Sequence, residues 1–313
     1  MMNRNWIVVI VALLALHACN QQKASKPKTA QPAIIRVAVV NYPLKYFTER
    51  IGGDLKEVLY PIQGDVDPSY WSPSEEAIAI FQKADVIFLN GAGYAQWLNK
   101  VSLQVSKLVN TSEAVQDRFI EIEGQTTHTH GPEGKHAHGS IAFTTWLNPL
   151  LAIEQANAVK ETLSGILPQK KELFTERYLA LKEDLQELDR EIESAVSMQA
   201  NRALLFSHPV YQYFDRRYSL EGKSLHWEPD QFPDTDMWNS LEDMLSTHAV
   251  KWMIWEGIPM TETVERLKEY GIESIVFTPC GNTPETGDYL SVMKQNILNL
   301  QGAFARNEAP DLS

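Results

Sequence analysis

From residue 169 to residue 199 the chain runs without a glycine or a proline. Tyr178, Leu181, Leu185, Leu188, Ile192 and Val196 recur three and four residues apart, which draws a narrow apolar stripe along one helix face. At 1.5 Å per residue such a helix spans roughly 45 Å. A helix of that length crosses a whole molecule. It restricts the fold to elements on either side of a rod, so we expect two lobes joined by one spine, with only a small motion between them.

The flanking segments repeat one rhythm. Residues 34–40 (IIRVAVV) form a β-branched run suited to a buried parallel strand, and residues 55–60 are a second, shorter candidate. Ser72 reads as an N-cap, with Pro73 at the first helical position and Glu75 closing a capping box, for a helix to about Lys83. Residues 85–90 (DVIFLN) give a third strand, ended by Gly91 and Gly93. Residues 149–167 read as a helix. Beyond the spine, strands are expected over 203–207, 250–254 and 274–277, with helices over 241–247, 261–270 and 289–300. Strands alternating with helices predict an α/β protein of two lobes with mostly parallel sheets, joined by the long spine helix. The N-terminal lobe covers 34–167, the spine 168–200 and the C-terminal lobe 201–305.

Residues 1–18 read as a signal peptide. Arg4 precedes the apolar run 6–16, which is too short to span a bilayer core of about 30 Å. The run ends in Leu16, His17, Ala18 and Cys19, which resembles a bacterial lipobox. Cys19 is therefore the expected lipidation site, and residues 19–33 a polar, flexible, lipid-anchored tether. This predicts an extracytoplasmic lipoprotein, in a periplasm or at a cell surface. The second of the two cysteines, Cys280, then has no partner for a disulfide within the mature chain. A net charge of −12 argues against nucleic acid as a partner. The chain has no nucleophile elbow, dinucleotide fingerprint, phosphate loop or His-Glu-x-x-His helix, so no enzyme is expected.

Several phrases occur in a telling order. Asp67-Pro68-Ser69-Tyr70-Trp71 precedes a helix, and the strand ending Leu89-Asn90-Gly91 follows it. Then come a His-rich segment, Trp146-Leu147-Asn148-Pro149, the spine, and Ser207-His208-Pro209-Val210-Tyr211. Gly287-Asp288-Tyr289 and Asn296-Ile297-Leu298 close the series. This order resembles the metal-binding solute-binding proteins of ABC importers, the zinc and manganese class related to ZnuA, over about residues 34–300. The resemblance implies a metal held between the lobes, an ABC permease of the metal-import type as partner, and a monomer.

It also implies four ligand positions. Three hold other residues here: Ser69 and Thr144 stand where histidines are expected, and Pro279 where a carboxylate is expected. His208 matches the fourth. Hydroxyls are poor zinc ligands near neutral pH, so a cleft that binds metal must use another set. We expect His208 with Cys280, Asp67 and Glu228, holding Zn2+, or less readily Mn2+ or Cu+. A different ligand among Tyr70, Trp71, Trp146 and Trp227 is the alternative, as is an adhesin or interaction lipoprotein built on the same scaffold. Glu256 reads as a turn cap, and His226 as a residue bonded to nearby backbone. The segment 124–139 (GQTTHTHGPEGKHAHG) is a separate feature. It reads as a mobile loop in which His128, His130, His136 and His138 capture metal loosely.

Overall fold

A computed structural model describes residues 34–305 other than 65, 123–126, 130–134, 138–140 and 200. The signal peptide, Cys19, the tether, His130 and His138 lie outside the described residues. Among the described residues no helix is long and apolar enough to cross a membrane.

The first lobe is a four-stranded sheet in the order β2-β1-β3-β4, formed by β1 (Ile35–Val39), β2 (Lys56–Leu59), β3 (Val86–Leu89) and β4 (Leu108–Asn110). Every pairing is parallel. Helix α1 (Tyr42–Gly52) joins β1 to β2, and α2 (Glu75–Lys83) joins β2 to β3. The expected Ser72 cap is displaced: the helix starts after Ser74, whose side chain accepts from the Ala77 amide. That register puts Glu75 and Glu76 in the first turn, where the helix dipole favours negative charge. Within the His-rich segment, β5 (Thr127–Thr129) pairs antiparallel with β6 (Lys135–Ala137), with His128 opposite His136.

Two antiparallel helices follow, α3 (Pro149–Ile166) and the spine α4 (Lys171–Ser197). The spine buries Phe174, Tyr178, Leu181, Leu185, Leu188, Ile192 and Val196, so the stripe read in the sequence is the packed face. Asp189 on the same face takes a two-pronged grip from Arg217, at 2.9 and 2.5 Å, and a hydrogen bond from the Tyr218 hydroxyl.

The second lobe has β7 (Ala203–Phe206), β8 (Glu221–Ser224), β9 (Trp252–Trp255) and β10 (Glu273–Val276), again all parallel, in the order β10-β9-β7-β8. Counted within its own lobe, that is the order of the first sheet. Helices α5 (Gln212–Arg217), α6 (Thr235–Leu245), α7 (Thr261–Glu269) and α8 (Tyr289–Phe304) complete it. The polar strand β8 (EGKS) survives at a sheet edge because Gly222 lets the Phe206 ring lie close: a Cβ there would sit 2.0 Å from that ring.

One apolar core runs from the first sheet through α1, α3 and the spine to β7, β9 and α8. Hydrogen bonds stitch the lobes together. Thr144 donates through its hydroxyl to the Val210 carbonyl at 2.5 Å, and Tyr213 donates to the Ala142 carbonyl at 2.9 Å. Elsewhere Trp146 Nε1 donates to the Pro279 carbonyl at 2.8 Å, the Tyr42 amide to the Gly281 carbonyl at 3.0 Å, and the Tyr60 hydroxyl to Asn282 at 2.9 Å.

Candidate metal centre

In an open parallel sheet, ligands are met where neighbouring strands leave in opposite directions, at their carboxyl ends. In the second lobe that place lies between β7 and β9. Strand β7 is buried throughout, and two residues beyond it stands His208. Strand β9 (WMIW) is equally buried, and the next residue is Glu256. On the other side of β7, strand pairing continues past β8: the Leu225 amide donates to the Phe206 carbonyl, and the Trp227 amide to the Ser207 carbonyl, each at 2.8 Å. Side chains alternate along such an extended segment. Trp227 packs into a second apolar core with Trp238 and Trp255. His226 and Glu228 therefore leave toward the opposite side.

Three side chains converge here. Glu228 Oε1 lies 3.8 Å from His208 Nε2, and Glu256 Oε1 lies 3.5 Å from His208 Nδ1. With one donor atom taken from each residue, all three lie within 4.8 Å of one another. The His208 side chain is 6% exposed, whereas the carboxylates are 24% and 26% exposed, so the ring is held from behind and the oxygens face the opening. With the ring neutral the cluster carries two negative charges, and with it protonated one. Either way a cation is favoured. Donors around a tetrahedral zinc ion stand roughly 3.3 Å apart, so the three would contract by at most about 1.5 Å to meet one.

The first lobe has the same construction without the charge. Two residues beyond β1 is Asn41, and one beyond β3 is Asn90, the positions that His208 and Glu256 hold in the second lobe. Asn41 Nδ2 donates to Asn90 Oδ1 at 3.0 Å, while its own Oδ1 caps α1. Gln155 Nε2 donates to the same Asn90 oxygen at 3.1 Å, and Asn90 Nδ2 to the Phe143 carbonyl at 2.8 Å. This crevice is filled by a closed, neutral amide network.

The positions that the resemblance singled out are otherwise occupied. Ser69 donates through its hydroxyl and its amide to Asp67 Oδ1, at 2.7 and 2.8 Å. Thr144 spends its hydroxyl joining the lobes. Asp67 and Cys280 do not belong to the group formed by His208, Glu228 and Glu256. Burial, helped by the charge of Asp288, pushes the Cys280 thiol up to about 12, so in the metal-free chain it is a neutral buried thiol near neutral pH. Tyr70 lies between the lobes: burial first, then the charges of Asp67 and Glu256, raise its phenol above the ordinary range. The expected aromatic pocket is not gathered in one place. Trp71 packs on Trp97 and Phe81, Trp146 on Tyr94, and Trp227 on Trp238.

Two parallel-sheet lobes on one long helix, with a cluster of charged ligand-type side chains at a strand switch point, are the framework of the two-lobed solute-binding fold. Residues 37–303 match the family model described as ZnuA, zinc-uptake complex component A, periplasmic, and the chain belongs to that family. It is 26% identical over 308 residues to the zinc-binding lipoprotein AdcA of Streptococcus pneumoniae R6, covering 94% of this chain and 60% of that one. The chain thus spans about 60% of the length of that relative. It is 24% identical over 303 residues to the high-affinity zinc uptake system protein ZnuA of Bacillus subtilis, covering 93% and 94%. The Zn(II)-bound ZnuA-like domain of Streptococcus pneumoniae AdcA has the same fold, with a TM-score of 0.73 at 22% identity over 86% of this chain and 98% of that one.

Proposed function

We propose that the chain is an extracytoplasmic receptor that captures a divalent transition metal, zinc, and presents it to the permease of an ABC importer. The observation that carries this reading is the convergence of His208, Glu228 and Glu256 at the carboxyl ends of three adjacent strands. His208 supplies an imidazole nitrogen, and the two glutamates supply anionic oxygens, a donor set suited to zinc. Taking up the ion displaces any proton held on the ring. Asp67 and Cys280, the other expected ligands, have no part in this set. The family and its zinc-binding relatives support the same reading. A lipid on Cys19 would keep the receptor, as a monomer, beside its permease. The loop histidines His128, His130, His136 and His138 would gather metal ahead of the cleft.

Zinc titration by chelator competition tests this. The protein with those four loop histidines replaced by alanine should bind one zinc with sub-micromolar affinity, and His208→Ala should abolish the binding. Affinity indifferent to His208→Ala, or metal binding that disappears with the loop histidines alone, overturns it.

A further inference from the structure

The three converging side chains leave a tetrahedral ion one ligand short. Two residues before Glu228, on the same side of the extended segment, stands His226. Its ring meets the His208 ring edge to face, with centroids 5.8 Å apart at 82°. That separation is informative. Zinc binds an imidazole nitrogen at about 2.0–2.1 Å, and the ring centroid lies about 1.1 Å further on. Two imidazoles on one tetrahedral ion therefore have centroids roughly 5.2 Å apart. The pair is already close to the spacing that a shared ion imposes.

The register of the strands explains the proximity. Phe206 pairs with Ser224 in the parallel ladder, and the chain keeps pairing through Trp227. The Trp227 amide bonds to Ser207, so the pairing slips by one residue there, His226 lies opposite Ser207, and the adjacent His208 ring is met edge to face. Trp227, locked into the apolar core, fixes which side His226 and Glu228 take.

We propose that His226 is the fourth ligand, completing a two-histidine, two-glutamate site carried by the C-terminal lobe alone. This rests on the metal-receptor reading of the same cleft and specifies its coordination. The nitrogens of His226 stand outside the three-residue group, so its ring turns toward the cluster as the ion arrives. The filled site is electrically neutral, with two carboxylates against one divalent ion, which limits the cost of holding charge partly away from water. Its tetrahedral nitrogen and oxygen set selects zinc, or cobalt(II) as a spectroscopic substitute, and gives copper(I) no sulfur to bind.

X-ray absorption on the chain with alanine at the four loop histidines, loaded with one equivalent of zinc, counts the imidazoles directly. Two imidazoles and two oxygen ligands are expected. In the same background His226→Gln and His226→Ala should each weaken zinc affinity by well over about 100-fold, beyond the roughly 10- to 100-fold that loss of an outer partner costs. One imidazole per zinc, with His226→Gln at full affinity and His208→Ala without binding, overturns this proposal and leaves the receptor reading standing. Zinc binding that ignores His208→Ala overturns both. The imidazole count uses an intact site, so it decides the matter even where a His226 variant fails to fold.

Discussion

Replacing Glu256 by glutamine separates a ligand from a structural residue, because the two roles predict opposite signs. The carboxylate oxygens of Glu228 and Glu256 stand within 4.8 Å of each other. Two unit charges at that distance repel by about 3.5 kcal/mol at an effective dielectric of about 20, and by about 0.9 kcal/mol in water. Both side chains are about a quarter exposed and His208 lies between them, so a net strain of about 1 kcal/mol is the reasonable figure. Glu256→Gln keeps the shape and removes that strain. The metal-free variant should melt about 2 °C above the parent. Zinc at 100 times its Kd stabilises the parent by about 2.7 kcal/mol, or about 5 °C for a chain of this size. If the variant binds about 100-fold more weakly, the same zinc adds only about 0.4 kcal/mol. Differential scanning fluorimetry with and without zinc, on the loop-substituted background, reads both shifts. A glutamate that merely ties down its turn predicts the reverse: a lower metal-free melting temperature and an undiminished zinc increment. That result would refute the reasoning.

Three further outcomes follow from the same structure. Asp189→Ala leaves the half-buried Arg217 without its partner, and urea unfolding should show a loss of about 2–3 kcal/mol. The Cys280 thiol, raised to about 12, should resist iodoacetamide at pH 8 in the folded protein and react once the chain is unfolded in urea, as read by mass spectrometry. Asp215, raised to about 6 by burial, holds a proton in the folded state that the unfolded state has released above about pH 4. Its contribution is therefore present at low pH and is lost as pH rises through about 6, so Asp215→Asn should flatten that part of the stability profile and stabilise the protein at pH 7, as denaturant melts across pH will show.

The spine was legible because nothing interrupts it and its stripe has one period. Strands such as Val86–Leu89 were legible because sheets buried on both faces demand unbroken apolar runs. Helix Tyr42–Gly52 was not, since its residues Tyr42, Leu44, Tyr46 and Phe47 are buried on several sides and leave no stripe. Strand Glu221–Ser224 was not either, because an edge strand stabilised by a close ring contact carries no apolar signature. His208 stood out because, placed just after a strand, it matches a ligand position that the family resemblance implies. Glu256 did not, although it occupies the first position after the buried run WMIW. Residues 208, 228 and 256 meet only through the lateral order of parallel strands, and each crossover between those strands hides the neighbourhood from any local spacing. Cys280 and Asp67 stood close to expected positions in the chain, yet burial and a local serine claimed them.

The bonds that run from Thr144 to Val210 and from Trp146 to Pro279 have a consequence for how loading is announced. Both ties leave from one short first-lobe segment and reach two separate points of the second lobe, which restrains how far the lobes can part or close. What arrival of a divalent ion would change is the field at the mouth of the second lobe, where the negative charge of Glu228 and Glu256 would be cancelled. On the proposed reading, the empty and laden forms would differ to a partner mainly in the charge they present, and discrimination between them should fade as salt shortens the reach of that field.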